Sequence, residues 1–479
     1  MLRQREMTDA GNVLRLIGEP TTFDLVLPSI TLEGGAQIAH HIVRGWHWGP
    51  KEDDPVLRDR GIPPDDDTQR LVQRSAGELA AMVRKAPRVS ERLSPEIPTV
   101  VVVHALTGNS RAGGPGGWWE PLIGPGRTFD PSKVRILCFN LLGGCYGTSG
   151  PADGSFPRLT DDQFPAELSP TRGGFAIPAV DLPATVTTWD QARSILLALD
   201  ALGVSRVALL TGGSLGGMVA LALAALDPER FERLVPIAAC SAASSWILAW
   251  NHVGRQAILA DPGFPDDVGR GLELARQVAT ITYRAEPGLD RDQGRRQGQS
   301  SEDSGDWSSR ARYRVQTYLE HQGQKLRQRF DARSYLTLIG AMDHHDLSRR
   351  PAPPEGGESW PAQVDPRPVA FNGPASEPAP SPQPSWGIDR IRATTLAISI
   401  DSDALYLPAH TEDLVRALVA RGLPARAVTM ASPHGHDAFL TEWEQLGAHL
   451  TAALALAPAH PELVGSHRWT KPSTTSSGV

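Results

Sequence analysis

Short apolar runs, each bounded by polar or Gly/Pro punctuation, recur along this chain. Residues 98–106 carry four successive valines, Val100 to Val103, and predict a central strand. Residues 134–140 predict a second. Between 185 and 202 apolar residues recur at helical spacing, and Gly203 supplies a stop. The run 207–210 reads as a strand, and 218–225, rich in Ala and Leu, as a helix. Further strands are predicted at 234–239, 394–400 and 425–430, with a closing helix over 437–456. Strands alternating with helices imply an α/β protein whose mostly parallel sheet is covered on both faces.

One block breaks the alternation. From about 243 to 388 the pattern is helical, with segments predicted at 245–259, 267–280, 313–329 and 332–347. A polar stretch, 288–310, interrupts them. Residues 351–384 are dense in Pro, Gly, Glu and Ser and cannot bury enough apolar surface to fold alone, so a flexible loop is expected there. The expected organisation is a core over 1–242, a helical insert placed like a lid over 243–388, a second core part over 389–465 and a disordered tail over 466–479. No internal repeat is evident.

Length and composition narrow the function. A chain of 479 residues with 40% hydrophobic content can bury a large core. A net charge of −7 gives no reason to expect nucleic acid or an anionic membrane as partner. No apolar run approaches a membrane span. The polar start, Met1-Leu2-Arg3-Gln4-Arg5-Glu6, lacks a signal core, so a cytoplasmic protein is expected. Cys138, Cys145 and Cys240 form no C-x-x-C pair and read as structural thiols.

The chemistry concentrates in Gly212-Gly213-Ser214-Leu215-Gly216, a G-x-S-x-G pattern between a predicted strand and a predicted helix. A serine on such a turn is pushed out of the sheet, and the helix behind it favours developing negative charge. Seryl oxygen needs a base, and the base needs an orienting acid. On this kind of sheet they follow in the order Ser, acid, His. Asp401 and Asp403 leave one predicted strand, and His434 and His436 follow the next. Spacing alone does not choose within either pair. Taken singly, such an aspartate is a turn residue and such a histidine a surface one; their order singles them out. For an oxyanion hole the N–H of Leu215 is one donor, and the N–H of Leu106 or Thr107, in the loop after the first core strand, is the other.

These residues, with several ordered segments around them, resemble the homoserine O-acetyltransferases, α/β-hydrolase-fold enzymes of methionine biosynthesis. The segments are His104-Ala105-Leu106-Thr107-Gly108, Gly117-Trp118-Trp119 with Ile123-Gly124-Pro125-Gly126, and Asn140-Leu141-Leu142-Gly143-Gly144-Cys145-Tyr146-Gly147. Beyond the elbow come Gly216-Gly217-Met218, Val253-Gly254-Arg255-Gln256-Ala257-Ile258, Arg329-Phe330-Asp331-Ala332-Arg333-Ser334-Tyr335, Ala341-Met342-Asp343 and Gly435-His436-Asp437-Ala438-Phe439-Leu440. The resemblance implies a Ser214, Asp403, His436 triad, with Arg255 and Asp437 binding the amino-acid acceptor and Thr107 also touching substrate. It further implies acetyl-CoA and L-homoserine as substrates and a homodimer through the lid. No metal-ligand spacing and no phosphate loop is present in the sequence, so no metal and no cofactor beyond the acyl-CoA substrate is expected. Two departures stand out. Gly213 and Leu215 replace the usual Pro and Met of the elbow, and the segment 242–252, with Trp246 and Trp250, differs from the usual polar pattern. Relatives using succinyl-CoA or L-serine, an ester or thioester hydrolase, and a non-catalytic scaffold are the alternatives.

Overall fold

The computed structural model describes residues 16–53, 56–57, 71–85, 92–159, 182–295, 312–352 and 385–458. Most of the two expected loops (296–311 and 353–384) and the whole expected tail (466–479) lie outside the described residues. Among the described residues, eight strands form one sheet: β1 (Thr21–Leu27), β2 (His41–Trp48), β3 (Thr99–Val103), β4 (Arg135–Phe139), β5 (Leu209–Gly213), β6 (Arg233–Ile237), β7 (Thr394–Ile400) and β8 (Ala425–Met430). Their order is β1-β2-β4-β3-β5-β6-β7-β8. Only β2 runs against its neighbours; the pairs from β4 to β8 are all parallel.

β3 is buried along its whole length, which is why four valines follow one another without alternation. It ends at Val103, short of the predicted 106, because residues 104–108 turn away from the sheet. β5 runs past its apolar residues: Thr211 and Gly212 pair with Val102 and Val103 through backbone alone. β1 and β2 were not predicted. They mix charged, aromatic and aliphatic residues, so no period stands out, yet they pair from Thr21↔His47 to Leu27↔His41.

The helix α1 (Ala76–Lys85) precedes β3. α2 (Thr188–Leu202) starts with a capping box made by Thr187 and Asp190 and ends at Gly203 in the left-handed conformation. All residues of α3 (Leu215–Leu226) are buried, so this helix shows no polar face. Between β6 and β7 lie α4 (Ser245–Leu259), α5 (Gly269–Tyr283), α6 (Glu286–Asp292), α7 (Arg314–Arg327) and α8 (Ala332–Asp343). α4 packs on α5 and α8, and α5 on α7. Ile247, Leu272 and Tyr335 join the same apolar cluster as the valines of β3, so core and insert share one interior. After β7 come α10 (Pro408–Val419) and α11 (Trp443–Leu454), with the short α9 (Trp386–Arg390) before β7.

The predicted closing helix over 437–456 is corrected. Residues Gly435–Leu440 form a 3-10 turn that buries His436, Ala438 and Phe439, the chain leaves helical geometry at Thr441 (φ −130°), and only Trp443–Leu454 is α-helical. Among the described residues no helix is long and apolar enough to cross a membrane.

Candidate active site

Ser214 stands at the step from β5 to α3 with φ 57° and ψ −126°. A non-glycine residue held there stores roughly 1–3 kcal/mol of strain. The surroundings enforce it. The Ser214 N–H donates to the Ile237 carbonyl at 2.9 Å. A Cβ on Gly216 would sit 2.2 Å from the Val103 carbonyl oxygen, so only glycine lets α3 come this close to β3. The Ser214 side chain makes no capping bond to α3, so its hydroxyl is not committed to holding the helix.

Asp403 and His436 meet in the buried space beside the elbow. The His436 Nδ1–H donates to Asp403 Oδ2 at 2.7 Å. Asp403 Oδ1 accepts the backbone N–H groups of Leu405 and Tyr406, each at 2.8 Å. With the carboxylate on Nδ1, the selected tautomer presents Nε2 as acceptor. The structure separates the other two candidates from this pair. Asp401 accepts the Ser432 N–H at 3.0 Å, and His434 Nε2 takes a bond from Arg291 at 2.9 Å.

Three aromatic rings enclose the imidazole. Tyr406 stacks on it at 4.8 Å, Phe439 meets it edge-on at 5.5 Å and Tyr283 lies at 5.6 Å. His436 Nε2 is buried without a hydrogen bond. The Tyr406 hydroxyl stands beside the Ser214 side chain, and burial pushes its phenol well above the ordinary tyrosine range. One tyrosine thus stands against both Ser214 and His436. Ser214 and His436 make no hydrogen bond to each other; such bonds commonly close only with substrate in place.

The turn facing the elbow runs from Ala105 to Gly108 and is closed by the Gly108 N–H on the Ala105 carbonyl at 2.9 Å. Thr107 occupies its third position with φ 62°. The Leu106 and Thr107 N–H groups are not used to close the turn, and the Leu215 N–H opens α3, where no intrahelical acceptor exists. His104 braces the turn from below. Its Nδ1 bonds the Ala105 carbonyl at 2.9 Å and its Nε2 accepts the Leu141 N–H at 3.1 Å. Burial pushes this imidazole down to about 4, so it is neutral.

Arg255 and Asp437 do not touch. Arg255 pairs with Asp343, whose other oxygen takes the Asn251 side-chain amide at 2.7 Å. Burial pushes the Asp437 carboxyl above the ordinary carboxylate range, and the cation that opposes this most is Arg276. Arg276 also lies 5.6 Å over the Tyr283 ring. Sequence reasoning gave Arg276 no role; nothing but its place on the inner side of α5 distinguishes it. A pocket between α4, α5 and α8 is lined by Trp250, Asn251, Tyr283, Tyr335, Met342 and Leu405. Of its lining residues, Tyr283 lies against the His436 ring and Leu405 precedes Tyr406, so the pocket adjoins the surroundings of the Asp403–His436 pair.

Known proteins share this arrangement of sequence and fold. A family model described as alpha/beta hydrolase fold matches residues 98–442. The homoserine O-acetyltransferase of Moorella thermoacetica is 36% identical over 363 residues, which cover 73% of this chain and 84% of that protein. The one from Carboxydothermus hydrogenoformans is 33% identical over 370 residues, 74% of this chain and 84% of that protein. Among solved structures, homoserine O-acetyltransferase from Bacillus anthracis aligns with a TM-score of 0.63 at 15% identity, covering 93% of this chain and 99% of that one. Esterase E22 aligns at 0.61 and 17% identity, covering 92% and 100%. At such identities these two speak for the fold alone. The sequence relatives go further: by its match to them over most of their length, the chain belongs to the homoserine O-acetyltransferase family of α/β-hydrolase-fold proteins.

Proposed function

We propose that this protein moves an acetyl group from acetyl-CoA to the γ-hydroxyl of L-homoserine through an acetyl-Ser214 intermediate, a step of methionine biosynthesis. The observation that carries the reading is the buried Asp403–His436 pair beside a strained Ser214, with a pocket of the helical insert adjoining its neighbours Tyr283 and Leu405. His436 Nε2 takes the seryl proton as Oγ attacks the thioester carbonyl. The Leu215 N–H and the 106–107 turn hold the resulting oxyanion. Collapse expels coenzyme A as thiol, with the proton from His436. The homoserine hydroxyl then gives its proton to His436 and attacks the acetyl-enzyme, which releases O-acetyl-L-homoserine and restores Ser214.

Arg255 retains guanidinium N–H groups beyond its pair with Asp343 and suits the acceptor's carboxylate; Asp437 suits its ammonium. Thr107, on the turn that carries the second oxyanion donor, also touches substrate. No cofactor takes part, since acetyl-CoA is consumed as substrate. The protein acts in the cytoplasm as a homodimer through the insert, where Trp246 and Val253 on α4 and Leu274 and Ile281 on α5 are exposed apolar side chains.

The test is thiol release from acetyl-CoA with and without L-homoserine, run beside succinyl-CoA and L-serine. Release that depends on homoserine and favours acetyl-CoA is expected. Fast release indifferent to homoserine would make the protein a thioester hydrolase, and preference for either alternative substrate would reassign donor or acceptor.

A further inference from the structure

Arg329 follows the last turn of α7, in the insert, yet reaches into the core. Its Nη1 donates to the Thr107 carbonyl at 2.8 Å and to the Tyr146 hydroxyl at 2.6 Å. Tyr146 is itself fixed. Its carbonyl accepts the Asn140 side-chain amide at 2.5 Å, and its ring meets Phe330 edge-on at 5.6 Å. Asn140 in turn accepts the Ser110 N–H at 2.6 Å, just past the 105–108 turn. Thr107, a buried β-branched residue, is held at φ 62°, a region such side chains rarely adopt. Left to itself the turn would relax to negative φ and swing the 106–107 amide away from Ser214. His104 holds the start of the turn through Ala105. The grip on Thr107 comes from the insert.

We infer that Arg329 is a positioning residue: by holding the Thr107 carbonyl it keeps the 106–107 amide aimed at the oxyanion. The insert therefore completes the oxyanion hole as well as roofing it, and donor stabilisation depends on the insert being seated. The inference rests on the proposed use of this turn as oxyanion donor.

The test uses the full chain and p-nitrophenyl acetate, whose cleavage needs the oxyanion hole whichever acceptor the enzyme serves. R329M is expected to lower kcat by about 10²-fold, the scale of losing one oxyanion donor, with KM within about twofold. Y146F, which leaves the Thr107 contact but frees Arg329 on one side, is expected to lower kcat by about threefold to tenfold. T107G supplies a residue that holds positive φ without strain, and in the R329M background it is expected to recover about tenfold. A merely structural role would lower melting temperature without that rescue. R329M with kcat within about twofold of wild type, or R329M and T107G losses that simply multiply, would overturn the inference. Should R329M fail to fold by thermal melt, Y146F with and without T107G decides by the same two criteria. Failure to use homoserine would leave this test standing, and an unaffected R329M would leave the transferase reading standing.

Discussion

Ser214, Asp403 and His436 are scattered from position 214 to position 436 and converge because each follows a parallel strand of one sheet. Their types and order were legible in the spacing of the chain; the choice within each pair came only from the family resemblance. Asp401 and Asp403 leave the same strand two residues apart, and the Leu405 and Tyr406 N–H groups decide between them. Tyr406 and Arg276 stayed hidden for another reason. Their meaning lies in burial and in neighbours distant along the chain, as with Arg329 and Thr107, 222 positions apart. If Nε2 of His436 is the base, then S214A and H436A each lower kcat by about 10⁶-fold, and D403N, which spoils the tautomer, by about 10⁴-fold. Steady-state rates with homoserine check this; losses under about tenfold would remove Ser214 or His436 from the chemistry.

At the scale of elements, what the sequence conveys is set by burial. β3 and α3 announce themselves as uniform apolar runs because both are enclosed. β1 and β2 do not, since Asp24 and Arg44 face each other within them as a partly buried ion pair at 2.7 Å and break any simple alternation. The close crossing of α3 over β3 gives a sharp prediction. G216A would put a methyl group against the Val103 carbonyl, a backbone atom with nowhere to go, and is expected to lower melting temperature by about 10 °C or prevent folding. Gly340, inside α8 with open space around it, is the control: G340A is expected to stabilise by about 0.5–1 kcal/mol. A G216A protein that melts like wild type would contradict the described packing. Gly213 lies between these cases, since its added Cβ would meet the Phe439 ring at 2.5 Å and a side chain can shift.

Across the whole molecule, buried histidines set the response to acid. Burial pushes His41 down to about 3 and His104 and His345 to about 4, with Arg193 adding to the effect at His41. The unfolded chain binds protons below about pH 6.5 that the folded chain refuses, so the stability these three supply is complete above that pH and lost as pH falls toward their folded values. The slope is at most about 1.4 kcal/mol per pH unit for each. Asp153 and Asp190, pushed up to about 6 by burial, act in the opposite sense between about pH 4 and 6, and so do Asp200 and Asp437, also raised by burial. Above about pH 6 the histidines act first, so the melting temperature is expected to fall as pH drops from about 6.5 to 6; a flat or rising profile there would show these histidines to be solvated. None of this was visible in the sequence, where a buried and an exposed histidine look alike.

The most direct test is intact-mass analysis of the protein quenched shortly after mixing with acetyl-CoA alone. One acetyl group on Ser214, discharged faster when L-homoserine is added and absent in S214A, is the predicted result. A protein that releases coenzyme A without ever carrying that group, or carries it on another residue, would contradict the mechanism.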